Sequence, residues 1–151
     1  MNRIVLLDSG PLGMVTTPKA KSPIYQECKL WFNSLGTKGY TVLLPEIADY
    51  EVRRELLRAG KMVGIRRLDQ LKATITYCPI TTEVMLKAAE FWAQARNRGK
   101  PTADPNALDG DVILAAQAQL LADRGNEVII ATTNVSHLSQ FVDAREWRLI
   151  Q

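Results

Sequence analysis

RIVLLDSGP, residues 3–11, is the stretch on which the fold turns. Ile4 to Leu7 is apolar without alternation, the pattern of a strand covered on both faces, and Asp8-Ser9-Gly10-Pro11 ends it with turn-forming residues. A strand of that kind belongs to a parallel sheet with helices above and below. The residue that follows it, Asp8, lies at the carboxyl edge of the sheet, where open α/β sheets form their ligand crevice. Turn formation before Ser-Gly-Pro explains Asp8 equally well.

Outward from this strand the chain alternates strands and helices. Ser22 caps and Pro23 starts a helix with Ile24, Cys28, Trp31 and Leu35 on one stripe, ended by Gly36. Tyr40 to Leu44 is a second strand. Pro45 opens a helix to about Arg58, before Gly60, and another follows through Ile65, Leu68 and Leu71. Thr74 to Ile80 is rich in β-branched residues and reads as a strand. Thr82 is the expected cap of an amphipathic helix carrying Val84, Ala88, Phe91 and Ala95 and stopping at Gly99. A polar loop, Lys100 to Ala107, leads to a helix from Asp109 to Gly125. Glu127 to Ala131 is a further strand, and Trp147 to Ile150 closes the chain. The alternation predicts an α/β fold, a three-layer α/β/α sandwich around a central mostly parallel sheet, as a single domain over residues 1–151.

Bulk composition narrows the class. With 151 residues, 46% of them hydrophobic, the chain can bury a full core without disulfides. Cys28 and Cys78 stand far apart in no zinc or CxxC pattern and read as reduced, buried thiols. No apolar run approaches the ~18 residues of a membrane span, and the first is too short for a signal peptide, so a soluble cytoplasmic protein is expected. The net charge of +3, from 19 basic and 16 acidic residues, is too small to indicate a nucleic-acid partner alone. Its distribution is more informative. Arg53, Arg54, Arg58, Lys61, Arg66, Arg67 and Lys72 face only Glu55 and Asp69 within the same stretch, which fits either a solvated helical face or a phosphate-binding one.

Acidic residues recur where burial is expected. Asp109 and Asp111 sit at the mouth of the alanine-rich segment LDGDVILAAQAQLL, residues 108–121, and either can serve as a helix cap. Glu51 falls on the apolar arc of its helix, beside Ile47 and Ala48, where a carboxylate needs a partner, a nearby arginine or a cation. Glu46 lies in the first turn, where the helix dipole accounts for it. Asn134 follows a strand and reaches the same edge as Asp8, and it can equally cap the turn after it. Oxygen donors of this kind suit Mg²⁺ or Mn²⁺ rather than zinc. His137 is the only histidine, which we read as a surface residue or one behind the metal ligands. No GxSxG, P-loop or GxGxxG is present.

At these residues the chain resembles PIN-domain ribonucleases, the family that includes VapC-type toxins. The resemblance spans nearly the whole length. Its four motifs are a hydrophobic strand ending in Asp8, Glu51 within PEIADYEVRREL, Asp111 followed by apolar residues and Ala115-Ala116-Gln117-Ala118, and Thr132-Thr133-Asn134 after a strand. The resemblance implies a Mg²⁺- or Mn²⁺-dependent endoribonuclease with Asp8, Glu51 and Asp111 holding the metal and Asn134 supporting it or its water. Asp109 is a further candidate ligand, Ser9 and Thr132 are expected to orient the ligands, and Arg53, Arg54 and Arg58 to hold the RNA backbone. The expected partners are RNA, a small antitoxin protein and a second copy of the chain in a homodimer. Two departures stand out: Asn134 where the family often has Asp, and His137 where a further acid is common. Both lower the negative charge of the site, which motivates the alternative of a catalytically weak or inactive PIN-like module that binds RNA or regulates.

Overall fold

The computed structural model describes residues 2–18, 22–98 and 105–151. Five strands form one sheet: β1 (Arg3–Leu7), β2 (Tyr40–Pro45), β3 (Thr76–Cys78), β4 (Glu127–Thr132) and β5 (Ala144–Glu146), in the order β3-β2-β1-β4-β5. Every pairing is parallel. Val5 lies between Val42 and Ile129, and Leu7 is in register with Ala131. The helices among the described residues are α1 (Ser9–Thr16), α2 (Pro23–Ser34), α3 (Glu46–Arg58), α4 (Met62–Thr74), α5 (Thr82–Asn97), α6 (Pro105–Asp123) and α7 (Val135–Leu138). None of them is long and apolar enough to cross a membrane.

The period-two geometry of β1 divides its apolar run between two cores. Val5 and Leu7 face one layer with Leu12 of α1, Cys28, Trp31 and Leu35 from the α2 region, Leu68 of α4 and Trp147. Ile4 and Leu6 face the other, with Leu114 and Ala118 of α6 and Leu138 of α7. A third cluster seals α5 against α6 through Val84, Ala88, Phe91, Val112 and Ala116. Helix α3 contributes to both layers, Ile47 to one and Ala48 and Val52 to the other, and it touches α1 and α6. It therefore bridges the edge of the sheet, with Glu51 in its middle. Gly60 (φ 67°) and Gly125 (φ 93°) supply the left-handed turns after α3 and α6, where a side chain would be strained.

Several local expectations change. Asp8-Ser9-Gly10-Pro11 is not a loop: Asp8 caps α1 by accepting from Ser9 N, and Pro11 is tolerated because it sits in the first turn. The cap of α5 is Thr81, whose hydroxyl accepts from Val84 N at 3.1 Å, one residue earlier than the sequence suggests. Helix α6 begins at Pro105 rather than Asp109, so residues 105–107, expected in a loop, are helical and neither Asp109 nor Asp111 lies in its first turn. The capping explanation of both acids is thereby removed. The expected helix stop at Gly99 and the loop at positions 100–104 lie outside the described residues. Strand β5 had no distinct sequence signal, since three residues at a sheet edge carry no usable period. Cys28 and Cys78 are free and buried, as expected.

Candidate metal centre

Strand order places the site. From β1 the sheet grows through β2 and β3 in one direction and through β4 and β5 in the other, so the switch point lies between the carboxyl ends of β1 and β4. Asp8 leaves the first of these strands and Thr132 to Asn134 leave the second. Asp8 is fixed on both sides: its backbone N donates to Ala131 O at 3.0 Å, Oδ1 accepts from Ser9 N at 2.7 Å, and Oδ2 accepts from the Thr132 hydroxyl at 2.8 Å. The same hydroxyl accepts from Asn134 N at 2.9 Å. The Ser9 amide and the Thr132 hydroxyl thus hold Asp8 in place. Gly10 permits the close approach, because a Cβ there would stand 2.9 Å from the Thr133 hydroxyl oxygen.

Glu51 and Asp111 complete a cluster of three acids. A Cβ at Gly110 would lie 2.8 Å from Glu51 Oε2, so the Glu51 carboxylate rests against the backbone of α6 one residue before Asp111. Burial, then the charge of Asp8, then that of Asp111 drive the Glu51 pKa up to about 7, with Arg54 pulling the other way. Burial and the charge of Asp8 raise Asp111 to about 6, opposed by His137. Burial also raises Asp8, despite the hydrogen bonds from Thr132 and Ser9 that favour its charged form. Asp111 Oδ2 is buried without a hydrogen-bond partner, and His137 Nδ1 stands 3.8 Å from it. Asp8 thus raises the cost of ionising both other acids, and Asp111 that of ionising Glu51. Among the described residues, no three Asp, Glu, His or Cys side chains already stand around one point as a finished coordination set. Nevertheless, an orphaned carboxylate oxygen and three mutually repelling acids form an oxygen-rich donor set whose charge a hard divalent cation would offset.

Other expected site residues are placed differently. Asp109 is exposed and shifts the pKa of none of the three acids, so the structure does not bring it to the cluster. The side chain of Asn134 is exposed and makes no capping hydrogen bond, and its link to the site is the backbone bond to Thr132. Arg53 pairs with Asp49 at 3.0 Å and with Asp69 at 2.8 Å, so its charge is engaged within the protein. Arg58 pairs with Glu55 on the surface. Arg54 lies over the Tyr50 ring and acts electrostatically on Glu51, leaving it the best placed of the three arginines. Sequence reading missed Asp49, the most buried acid on α3, because Arg53 four residues later was assigned elsewhere although it is an ideal helical partner. It also missed that Glu46 accepts from Ile80 N at 2.7 Å and so ties α3 to the end of β3.

A groove of about 910 Å³ runs from Ser9 and Glu51 between α1, α3 and the start of α4. Its lining includes the apolar Val52, Leu56, Met62 and Val63, and Arg54, Arg58 and Lys61 are its basic members.

The architecture has close counterparts among solved structures. A chain of the VapBC2 complex from Rickettsia felis, bound to a DNA fragment from its promoter, superposes with a TM-score of 0.68 at 13% identity, covering 94% of this chain and 97% of that one. The chain has a PIN-domain fold. A chain of VapBC-1 from nontypeable Haemophilus influenzae gives 0.63 at 14% identity, with 96% and 98% covered, and one of DNA-bound VapBC from Salmonella typhimurium gives 0.62 at 15%, with 97% and 99% covered. No protein-family model and no curated protein matches the sequence. The PIN-domain fold is therefore carried here by geometry and a few short motifs, at identities where overall sequence similarity no longer shows.

Proposed function

We propose that this chain is a Mg²⁺- or Mn²⁺-dependent endoribonuclease acting as the toxin of a toxin–antitoxin pair. The observation that supports this most is the convergence of Asp8, Glu51 and Asp111, from β1, α3 and α6, at the switch point of a PIN-domain sheet, with the pKa of each raised. Asp8, Glu51 and Asp111 would hold the ion. A bound divalent ion supplies Lewis-acid stabilisation of the charge that develops on a phosphodiester and lowers the pKa of water. The protein's own contribution is positional. Thr132 and the Ser9 amide fix Asp8, Gly110 admits Glu51, and Arg54 at the groove can meet an RNA phosphate. The raised pKa of Glu51 marks a carboxylate whose charged form a bound cation would favour.

The antitoxin partner draws on the neighbours, each from a VapBC complex, and on the apolar part of the groove lining, where exposed Met62 and Val63 suit an apolar segment of a second protein. RNA cleavage with Mg²⁺ or Mn²⁺ is expected from the wild type and is reduced to background in Asp8→Asn and Asp111→Asn, with circular dichroism unchanged. Intact cleavage in both variants would refute the assignment. A second reading, a PIN-like RNA-binding or regulatory module without turnover, is favoured by the outward side chain of Asn134 and by His137 beside Asp111. Calorimetric titration separates the two, since that reading expects no Mn²⁺ binding even with RNA present.

A further inference from the structure

We propose that His137 is a nitrogen ligand of the divalent ion at this centre, and that it biases the site toward Mn²⁺ over Mg²⁺. The inference rests on the metal-dependent reading above and adds to it a donor that the oxygen set does not contain. His137 Nδ1 lies 3.8 Å from Asp111 Oδ2. That separation is too long for a hydrogen bond, for which N···O is about 2.7–3.2 Å. Two donors to one ion stand at most about 4.2 Å apart for metal–ligand distances near 2.1 Å, so the two side chains are close enough to share an ion. Asp111 Oδ2, the atom nearest the imidazole, is buried and has no hydrogen-bond partner.

The backbone that carries His137 is held against the site. His137 N donates to Asn134 O at 3.3 Å, its carbonyl accepts from Gln140 Nε2 at 3.2 Å, and α7 packs on α6, the helix that bears Asp111. A plain ion pair is the competing explanation. It would leave the Asp111 oxygen unbonded at 3.8 Å from an imidazole whose side chain is about one-third exposed, a contact of little value. Imidazole nitrogen is a good donor to first-row transition ions, whereas Mg²⁺ prefers oxygen, so a mixed set discriminates between the two ions more than an all-carboxylate set does.

The test uses the untagged, metal-free protein, in which His137 is the only imidazole. Electron spin-echo envelope modulation of the Mn²⁺-loaded wild type is expected to show nitrogen coupling of the imidazole type, absent in His137→Gln. Separate calorimetric titrations with Mn²⁺ and Mg²⁺ should give an affinity ratio that falls about tenfold in His137→Gln, while His137→Asp, an all-oxygen set, gains affinity for Mg²⁺. Bound Mn²⁺ without nitrogen coupling in the wild type, or an unchanged ratio in a folded His137→Gln, overturns the role of His137 and leaves the metal centre standing. Binding of neither ion overturns both. The wild-type spectrum decides the question even where a variant fails to fold.

Discussion

Asp111 carries an uncompensated electrostatic cost that a single substitution can expose. Its folded-state pKa is about 6 against an ordinary 3.8, because burial and the charge of Asp8 oppose ionisation. Between those values the folded protein binds more protons than the unfolded chain, so stability falls as pH rises through the window and stays lower above it. Glu51, raised from 4.5 to about 7, extends the same trend toward neutrality. Asn at position 111 never ionises and escapes this penalty. The metal-free Asp111→Asn variant is expected to be more stable than the wild type at pH 7.5 by on the order of 1 kcal/mol, solvent around the partly exposed carboxylate reducing the full effect. For a chain of this size that is roughly 2–4 °C in Tm. The advantage should vanish by about pH 4. Thermal melts in the presence of a chelator across this range measure it, and a variant less stable than the wild type at pH 7.5 would contradict the account.

Helix α3 presents two acids two residues apart with opposite treatment. Asp49, its side chain 6% exposed, is compensated by Arg53 through contacts of 3.0 and 3.1 Å and by the Tyr77 hydroxyl at 2.8 Å. Glu51 has only the distant pull of Arg54. Arg53 also reaches Asp69 at 2.8 Å and so braces α3 against α4. Its removal strands a buried carboxylate, which costs about 3 kcal/mol. Arg53→Ala should therefore lower the urea midpoint markedly while leaving the salt dependence of RNA binding unchanged. Arg54→Ala should do the reverse, weakening RNA binding and reducing the salt slope by about 1 with little change in stability. An Arg53→Ala variant of wild-type stability and impaired RNA binding would return Arg53 to the substrate. The difference between neighbouring arginines is not visible in a charge count, because it depends on which face of α3 meets α4 and β3.

At the scale of the whole molecule, the sheet was legible because β1 and β4 are apolar on both faces, and the edge rule then located Asp8 and Thr132 to Asn134 without further help. Glu51 was legible from its place on the apolar arc of a helix. The start of α6 was not, since a proline after a polar stretch reads as loop as readily as helix, and α1 was hidden by turn residues that here act as a cap and first turn. Nor could the sequence show that Gly110 makes room for a carboxylate, a contact between α3 and α6 that exists only after folding. The same long-range convergence has a thermodynamic consequence. Asp8, Glu51 and Asp111 belong to elements distant in sequence, so the unfolded chain offers a cation no comparable site, and binding must stabilise the fold by RT ln(1 + [L]/Kd), about 2.7 kcal/mol at a hundredfold excess over Kd. Mn²⁺ at that level is expected to raise Tm by roughly 5–10 °C, and to cancel most of the loss of stability that the metal-free protein shows as pH rises from 5 to 7.5, since the ion offsets the charge that burial penalises. Asp8→Asn should abolish the rise. Scanning calorimetry with and without Mn²⁺ measures both effects, and an unchanged Tm at concentrations where titration shows binding would mean that the ion is held elsewhere, on groups that the unfolded chain presents equally well.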